Sequence, residues 1–442
     1  MKGDAMLSSH ELYPLVLIWL RALDAAPRPL ATAGLAHLVV ALLTAQSLRP
    51  SALMRALLSP TPVPARQRYQ RLARSWGRPW LTSAWLTPRL VRAVTTLAPT
   101  PQRGPTAGLT HLVLDSVRCG RWEVFTLGVL WHGRIVPVNW AVLPSPWPSG
   151  QVTPAVCRRV REVAAVWPSD RPVHLLADRA FPSQPLFRTL RAVGWGWTVR
   201  LRAPLPVTVD GVERTVRDLL GQARRSGWTV WTGAEGRGRT ALPATLVVGR
   251  GLPVWPLHQR TEGSQRARAQ QQAERQRVKG YDYATVGETD AWVALCATHT
   301  TWHAAVCSYK GRYATEGSYR DAQGGWDGQH GWDLEPVLAQ ARTATHAAGV
   351  VGLWALGALV QTWIGSQVVH GPAPVRAVAA QWTVTGRLSV WAHGQFALRE
   401  SSGRLHDWLE QTLRTGAARL ATVVLPHAGL SPGLAASSMD PS

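Results

Sequence analysis

The chain has 442 residues, 46% of them hydrophobic, enough for two or three domains and at least one large buried core, which excludes a disordered protein. Its 48 Lys and Arg outweigh 26 Asp and Glu to give a formal charge of +22, and only Lys2, Lys279 and Lys310 among the basic residues are lysine. An arginine fork grips phosphate at two points and stacks on bases, so the expected partner is a polyanion, while four scattered cysteines without a C-x-x-C pair argue against a zinc ribbon or a disulfide scaffold.

Residues 1–105 read as helical, with apolar stretches from Leu12 to Leu23 and from Leu38 to Leu48. Asp4 and Glu11 precede the first of these and no small-residue cleavage site follows, so a cytoplasmic protein without an export signal is expected. After Pro60, Pro62 and Pro64 comes an acid-free basic region: Arg66, Arg68, Arg71, Arg74, Arg78, Arg89 and Arg92 interleave with Tyr69, Trp76, Trp80 and Trp85. It suits a DNA-binding helix, in which Arg66, Arg71 and Arg74 are candidate phosphate contacts, and equally an amphipathic helix with solvated arginines. Residues 98–107, rich in Pro, Gly and Thr, read as a linker.

From His111 the texture changes to strands. HLVLDS runs into Asp115, and WEVFTLGVLW and RIVPVNWAVLP follow, joined by a tight turn at His132 and Gly133. A helix over Pro154–Val166 leads to VHLLADRAF, a second apolar run ending in an acid, Asp178, with Arg179 beside it. A helix over Pro185–Val193 and a strand WGWTVRLRA complete the order β-β-β-α-β-α-β. That order is the one an RNase H-like core requires, with the first and fourth strands adjacent. The expected fold is therefore α/β: a mixed sheet flanked by helices, residues 106–202 forming its first part.

Residues 203–290 interrupt it with short strands (PVTVDG, WTVWTG, ATLVVG) and a polar tract carrying Arg260, Arg266, Arg268, Arg275, Arg277 and Lys279, a β-rich insertion. Trp228, Trp231 and Trp255 there could stack on a base or pack in a core. Residues 291–400 are expected to finish the core: a strand AWVALCAT, a helix beginning near Arg312, and an uncharged stretch over 347–369 that reads as a buried helix rather than a membrane span. Residues 401–442 read as a helix and a disordered tail.

In-line transfer of a phosphodiester needs the attacking and leaving oxygens stabilised together, and carboxylates holding two hard cations do this. Asp115, Asp178 and Glu316 are the candidate acids. Within SYKGRYATEGSYRDAQGG, Tyr309, Arg312 and Glu316 stand in the spacing Y-x2-R-x3-E. That motif resembles the DDE transposases of bacterial insertion sequences, in the branch whose signature continues E-x6-K, although position 323 is Gln323. LVLDS, LLADRAF and ATEGSYRDAQ are similar to the family's first-Asp strand, second-Asp strand and glutamate helix, in that order, and RLSVWAHGQF to a later segment.

The resemblance covers about residues 65–400 and implies that Asp115, Asp178 and Glu316 are catalytic metal ligands for two Mg2+ or Mn2+ ions. It implies that Tyr309 and Arg312 contact DNA phosphate, and that the partners are double-stranded transposon ends and target DNA, met by a homodimer in the synaptic complex. On one helix Arg312, Glu316, Tyr319, Arg320 and Gln323 would share a face, where Arg320 could replace the charge that Gln323 lacks. Gln323 and Arg179 complete the candidate DNA contacts. A catalytically silent DNA-binding protein, or a nuclease that cuts without joining, stays open as an alternative. No G-x-x-x-x-G-K-[ST] loop is present, so no nucleotide cofactor is expected.

Overall fold

The computed structural model describes residues 8–57, 64–100, 105–147, 150–202, 205–223, 229–236, 244–250, 292–323, 332–381, 390–399 and 404–423. The basic tract of the insertion, Trp228, Trp255 and the tail from 424 lie outside the described residues, as does the side chain of Trp231. Five amino-terminal helices, α1 (Ser9–Ala22), α2 (Pro29–Ala45), α3 (Pro50–Ala56), α4 (Ala65–Trp76) and α5 (Ser83–Leu97), precede the first strand. The first is started by a capping box, Ser8 accepting from the Glu11 amide while the Glu11 carboxylate accepts from Ser8.

Strands β1 (Thr110–Cys119), β2 (Trp122–Trp131) and β3 (Arg134–Pro144) form an antiparallel meander. The turn between β2 and β3 places His132 and Gly133 at φ 48° and 75°, the doubly left-handed geometry that a two-residue hairpin needs and that glycine makes inexpensive. Helix α6 (Val152–Ala164), β4 (Val173–Ala177), α7 (Gln184–Ala192) and β5 (Gly196–Arg200) follow. Thus the expected order β-β-β-α-β-α-β is present. β6 (Pro206–Val209), β7 (Val212–Thr215), α8 (Val216–Ala223), β8 (Thr229–Gly236), β9 (Ala244–Arg250) and β10 (Trp292–Ala297) extend the sheet to the order β3-β2-β1-β4-β5-β10-β9-β8-β6-β7. β1 to β4 and β4 to β5 are parallel and the other pairings antiparallel, so the fold is α/β around a mixed sheet.

The remaining helices are α9 (Trp302–Lys310), α10 (Ala314–Gln323), α11 (Leu334–Gln340), α12 (Ala344–His370), α13 (Ala373–Gln381), α14 (Val390–Arg399) and α15 (Arg404–Thr422). Successive strand residues face opposite sides. On β3, Asn139 donates to Thr87 of α5 and Glu162 of α6, while the Trp140 indole donates to the Ala348 carbonyl of α12. Helices therefore cover both faces of the sheet.

Among the described residues α12 alone is by itself long and apolar enough to cross a membrane, and 94% of its most apolar window is buried inside the protein. Leucine, valine and tryptophan residues of α1, α2 and α5 share one hydrophobic core with this helix and with the first strands, so the amino-terminal helices and the sheet are packed together. Two glycines set its closest crossing: a methyl group on Gly365 would collide with the Val390 carbonyl oxygen, and one on Gly394 with that of Gln361. Gly365→Ala is expected to cost about 1–3 kcal/mol through overpacking, more than the helix propensity it gains. A denaturant midpoint that falls at constant m-value checks this.

Under the parallel strands lies a histidine cluster. His111 and His174 pair across β1 and β4, and the His174 ring stacks on His299 at 4.1 Å between centroids. Burial, helped by neighbouring rings, pushes His111 down to about 4 and His174 to about 2, so both are neutral in the folded protein. Because the folded values are depressed, their contribution is whole above the unfolded value of 6.5 and is lost as pH falls below it. At pH 5 each is expected to remove roughly 2 kcal/mol of stability. Denaturation midpoints compared at pH 7 and pH 5 should show that loss, and a flat profile contradicts it.

Candidate active site

Asp115 and Asp178 meet because their strands do. β1 runs parallel to β4 with Leu114 opposite Ala177, so the next residues along each chain, Asp115 and Asp178, stand side by side. Asp178 follows the last residue of β4, as expected, whereas Asp115 does not end its strand. β1 continues to Cys119 through a ladder with β2 that pairs Asp115 with Thr126. The alternation after the acid, Ser116, Val117, Arg118, Cys119, is what carries it on.

Glu316 is delivered from the other end of the chain. The expected single helix near Arg312 is instead two helices, α9 and α10, joined by a 3-10 turn over Gly311–Tyr313. That turn sits on the sheet: a methyl group at Gly311 would come 2.7 Å from Leu130 and 3.2 Å from Leu176. Arg312 is thereby pressed onto the acids. Its Nη1 donates to Asp115 Oδ2 at 3.2 Å and its Nη2 to Glu316 Oε1 at 3.1 Å, with only 7% of its side chain exposed. The Tyr309 hydroxyl donates to Asp178 Oδ1 at 3.4 Å, and the Tyr309 and Tyr313 rings lie 5.7 and 5.1 Å from the guanidinium carbon.

The expected stripe of five residues on one helix face is present in part. Arg312 lies in the 3-10 turn that precedes α10, yet it pairs with Glu316 four residues on. Glu316 is more than half exposed, whereas Tyr319 is buried with its hydroxyl 2.5 Å from Thr126 Oγ1. Gln323 is the last residue of α10 and half-buried, and the side chain of Arg320 lies outside the described residues. Tyr309 and Arg312, expected to meet DNA phosphate, are buried against carboxylates.

Burial is the largest influence on Asp115 and pushes its carboxyl up to about 6; Arg312 and the Ser116 amide oppose that, and Asp178 and Glu316 add to it. Asp178 goes the other way. Burial again raises it, but Arg312, the Arg179 amide, Arg200 and the Arg179 side chain together hold it below the usual carboxylate range. Both acids feel Arg312, and Asp115 also feels the other two, so the three form one electrostatic unit.

Among the described residues no three His, Cys, Asp or Glu side chains stand close enough to share a metal ion. The donor set still suits a hard divalent cation in kind: three carboxylates at one edge of a sheet, one of them carrying charge that its burial disfavours. Asp115, Asp178 and Glu316 are the residues that would hold it, and Arg312 supplies positive charge to them here.

Two residues of this edge escaped the sequence reading. Arg200 ends β5 next to Asp178, since Ala177 pairs with Val199, and a third parallel strand ending in a charged residue was the available signal. Arg134 opens β3 and reaches over α10: its Nε lies 2.6 Å from Asp321 Oδ2, and a methyl group at Gly317 would come 2.9 Å from its Nη1. No local pattern links Arg134 to Asp321.

The other basic candidates lie on α4, anchored by buried Leu72 and Trp76, with Arg66, Arg71 and Arg74 exposed and Tyr69 49% exposed. Trp76 stacks on His346 of α12 at 4.9 Å. These arginines thus belong to a surface carried by the helical layer, while Arg179 flanks Asp178. Compared with known proteins, the sequence matches no family model and no curated protein.

Proposed function

We propose that this chain is a DNA transposase of the DDE type, with an RNase H-like core that cleaves transposon ends and transfers the freed 3′-hydroxyl into target DNA. One observation carries the reading: Asp115 and Asp178 are neighbours on adjacent parallel strands, and Arg312 ties Glu316 to the same cluster. The strand order β3-β2-β1-β4-β5, with β1 beside β4, supports the RNase H-like assignment.

The residues divide the work. The Ser116 amide donates to Asp115 Oδ1 at 2.8 Å and the Tyr309 hydroxyl to Asp178 Oδ1, so each carboxylate is turned by one donor, while the second oxygen of Asp115 faces Arg312. Two Mg2+ or Mn2+ ions held by Asp115, Asp178 and Glu316 would stabilise charge on the attacking and leaving oxygens. Arg179 and Arg200 flank the same edge and attract the phosphate backbone, and the exposed arginines of α4 offer the duplex further phosphate contacts. On this reading the enzyme works in the bacterial cytoplasm at the nucleoid, as a homodimer across two transposon ends, without a nucleotide cofactor.

Incubating the purified chain with Mg2+ and a plasmid carrying the inverted repeats that flank its gene tests the reading. Cleavage at the repeat ends, followed by joined products from pre-cleaved ends, is the expected result. Cleavage without joining favours a nuclease. Binding without cleavage favours a silent DNA-binding protein, the reading that Gln323 in place of a phosphate-binding lysine supports.

A further inference from the structure

Arg312 has an arrangement that neither the phosphate-contact expectation nor the metal-ligand roles of the acids explain. It stands inside the acidic cluster, 95% of it removed from solvent, with both terminal nitrogens committed to carboxylates: Nη1 to Asp115 Oδ2 and Nη2 to Glu316 Oε1. The rings of Tyr309 and Tyr313 lie near it, and Gly311 fixes its approach to the sheet. Its remaining donor, Nε, is buried without a partner, so the site is built to face carboxylates with the two outer nitrogens and satisfies nothing else.

We infer that Arg312 is the resident counter-ion of the acidic cluster in the metal-free enzyme, and that divalent metal must displace its guanidinium from Asp115 and Glu316 in order to bind. The inference rests on the proposed two-metal reading and adds to it an order of events. Without the arginine, three acids would repel one another at a mostly buried sheet edge, and no other cation is given a hydrogen bond to Asp115 or Glu316 among the described residues. With it the cluster is neutralised by a group of the same chain. The carboxylate oxygens that Arg312 occupies are the ones a metal needs, so the two cations compete and each binds less tightly for the presence of the other. Glu316 is the side chain free to rearrange, being 55% exposed, whereas Asp115 is fixed on β1. Displacement also leaves a planar guanidinium beside the acids at the moment the cations arrive, which delays exposure of a phosphate-gripping group until the site is loaded.

The test uses the full chain, Mn2+ alone as the probe, and calorimetry together with melting in chelator. R312Q is expected to bind Mn2+ about tenfold more tightly than the wild type, because no salt bridge has to be broken first. Its melting temperature in chelator should fall, and the rise on adding Mn2+ should exceed that of the wild type. R312K, which keeps the charge but cannot bridge two carboxylates with a planar fork, should lie between the two in Mn2+ affinity. It also serves as the deciding variant if R312Q does not fold. Unchanged or weaker Mn2+ affinity in a folded R312Q, or in R312K if only that variant folds, overturns the inference while leaving the two-metal reading in place. Absence of Mn2+ binding by wild type and variants alike overturns the two-metal reading and the displacement with it.

Discussion

On the proposed two-metal reading, Asp115→Asn, Asp178→Asn and Glu316→Gln are each expected to reduce metal-dependent strand cleavage by at least about a thousandfold, some 4 kcal/mol of transition-state stabilisation, with DNA binding retained. The isosteric amides are chosen because a shortened side chain would leave Arg312 facing a hole. The three variants should differ in stability even though they agree in activity. Glu316 is more than half exposed, so its replacement costs almost nothing in folding. Asp115 is the opposite case: its carboxyl is raised from 3.8 to about 6, so at pH 7 the folded protein carries a charge that its surroundings disfavour by roughly 3 kcal/mol. A neutral amide at 115 relieves part of that, and D115N in chelator is expected to melt no lower than the wild type. A supercoiled plasmid bearing the terminal repeats reads the activity, and thermal melts in chelator read the stability. Cleavage by D115N or D178N within tenfold of the wild type sinks the assignment of those acids.

The parts of this arrangement that the sequence discloses are those written in short-range patterns. Apolar runs of strand length, a tight-turn pair at His132 and Gly133, and two acids each placed after such a run define the meander, the parallel pair and the meeting of Asp115 with Asp178. The Tyr309, Arg312 and Glu316 spacing singles out the segment whose glutamate pairs with Arg312 beside Asp115. What that spacing hides is the 3-10 turn at Gly311–Tyr313, because a helix pattern reads the same whether or not one turn is wound more tightly. The spacing therefore puts Arg312 on one side with Glu316 but does not disclose that it reaches Asp115 as well. Arg134 and Asp321, 187 positions apart, and Arg200 beside Asp178 become neighbours only through strand order, which no local window contains. Likewise the buried Gly365 and Gly394 contact is a property of two helices crossing, not of either sequence.

The second large effect is expected on α4. At 100° per residue, Arg66, Arg74 and Arg71 fan over an arc of about 140° centred opposite the buried anchors Leu72 and Trp76. A helix moored on one side and acid-free on the other presents those arginines to solvent, and among the described residues no acid pairs with them; Arg74 Nε donates to the Gln70 carbonyl. If they track a phosphate backbone, each contact releases condensed counter-ions, and the log–log dependence of affinity on salt steepens by about 0.9 per contact. The triple variant R66Q/R71Q/R74Q should therefore flatten that slope by roughly 2 to 3 and weaken duplex binding about a hundredfold at 0.15 M salt. The fold should not notice, since all three side chains are exposed and glutamine is as good a helix former as the position requires. Fluorescence anisotropy with a labelled duplex over a salt series makes the measurement. The slope decides between the two accounts of these arginines: solvated residues that never touch DNA leave it unchanged, whatever happens to the affinity at a single salt concentration.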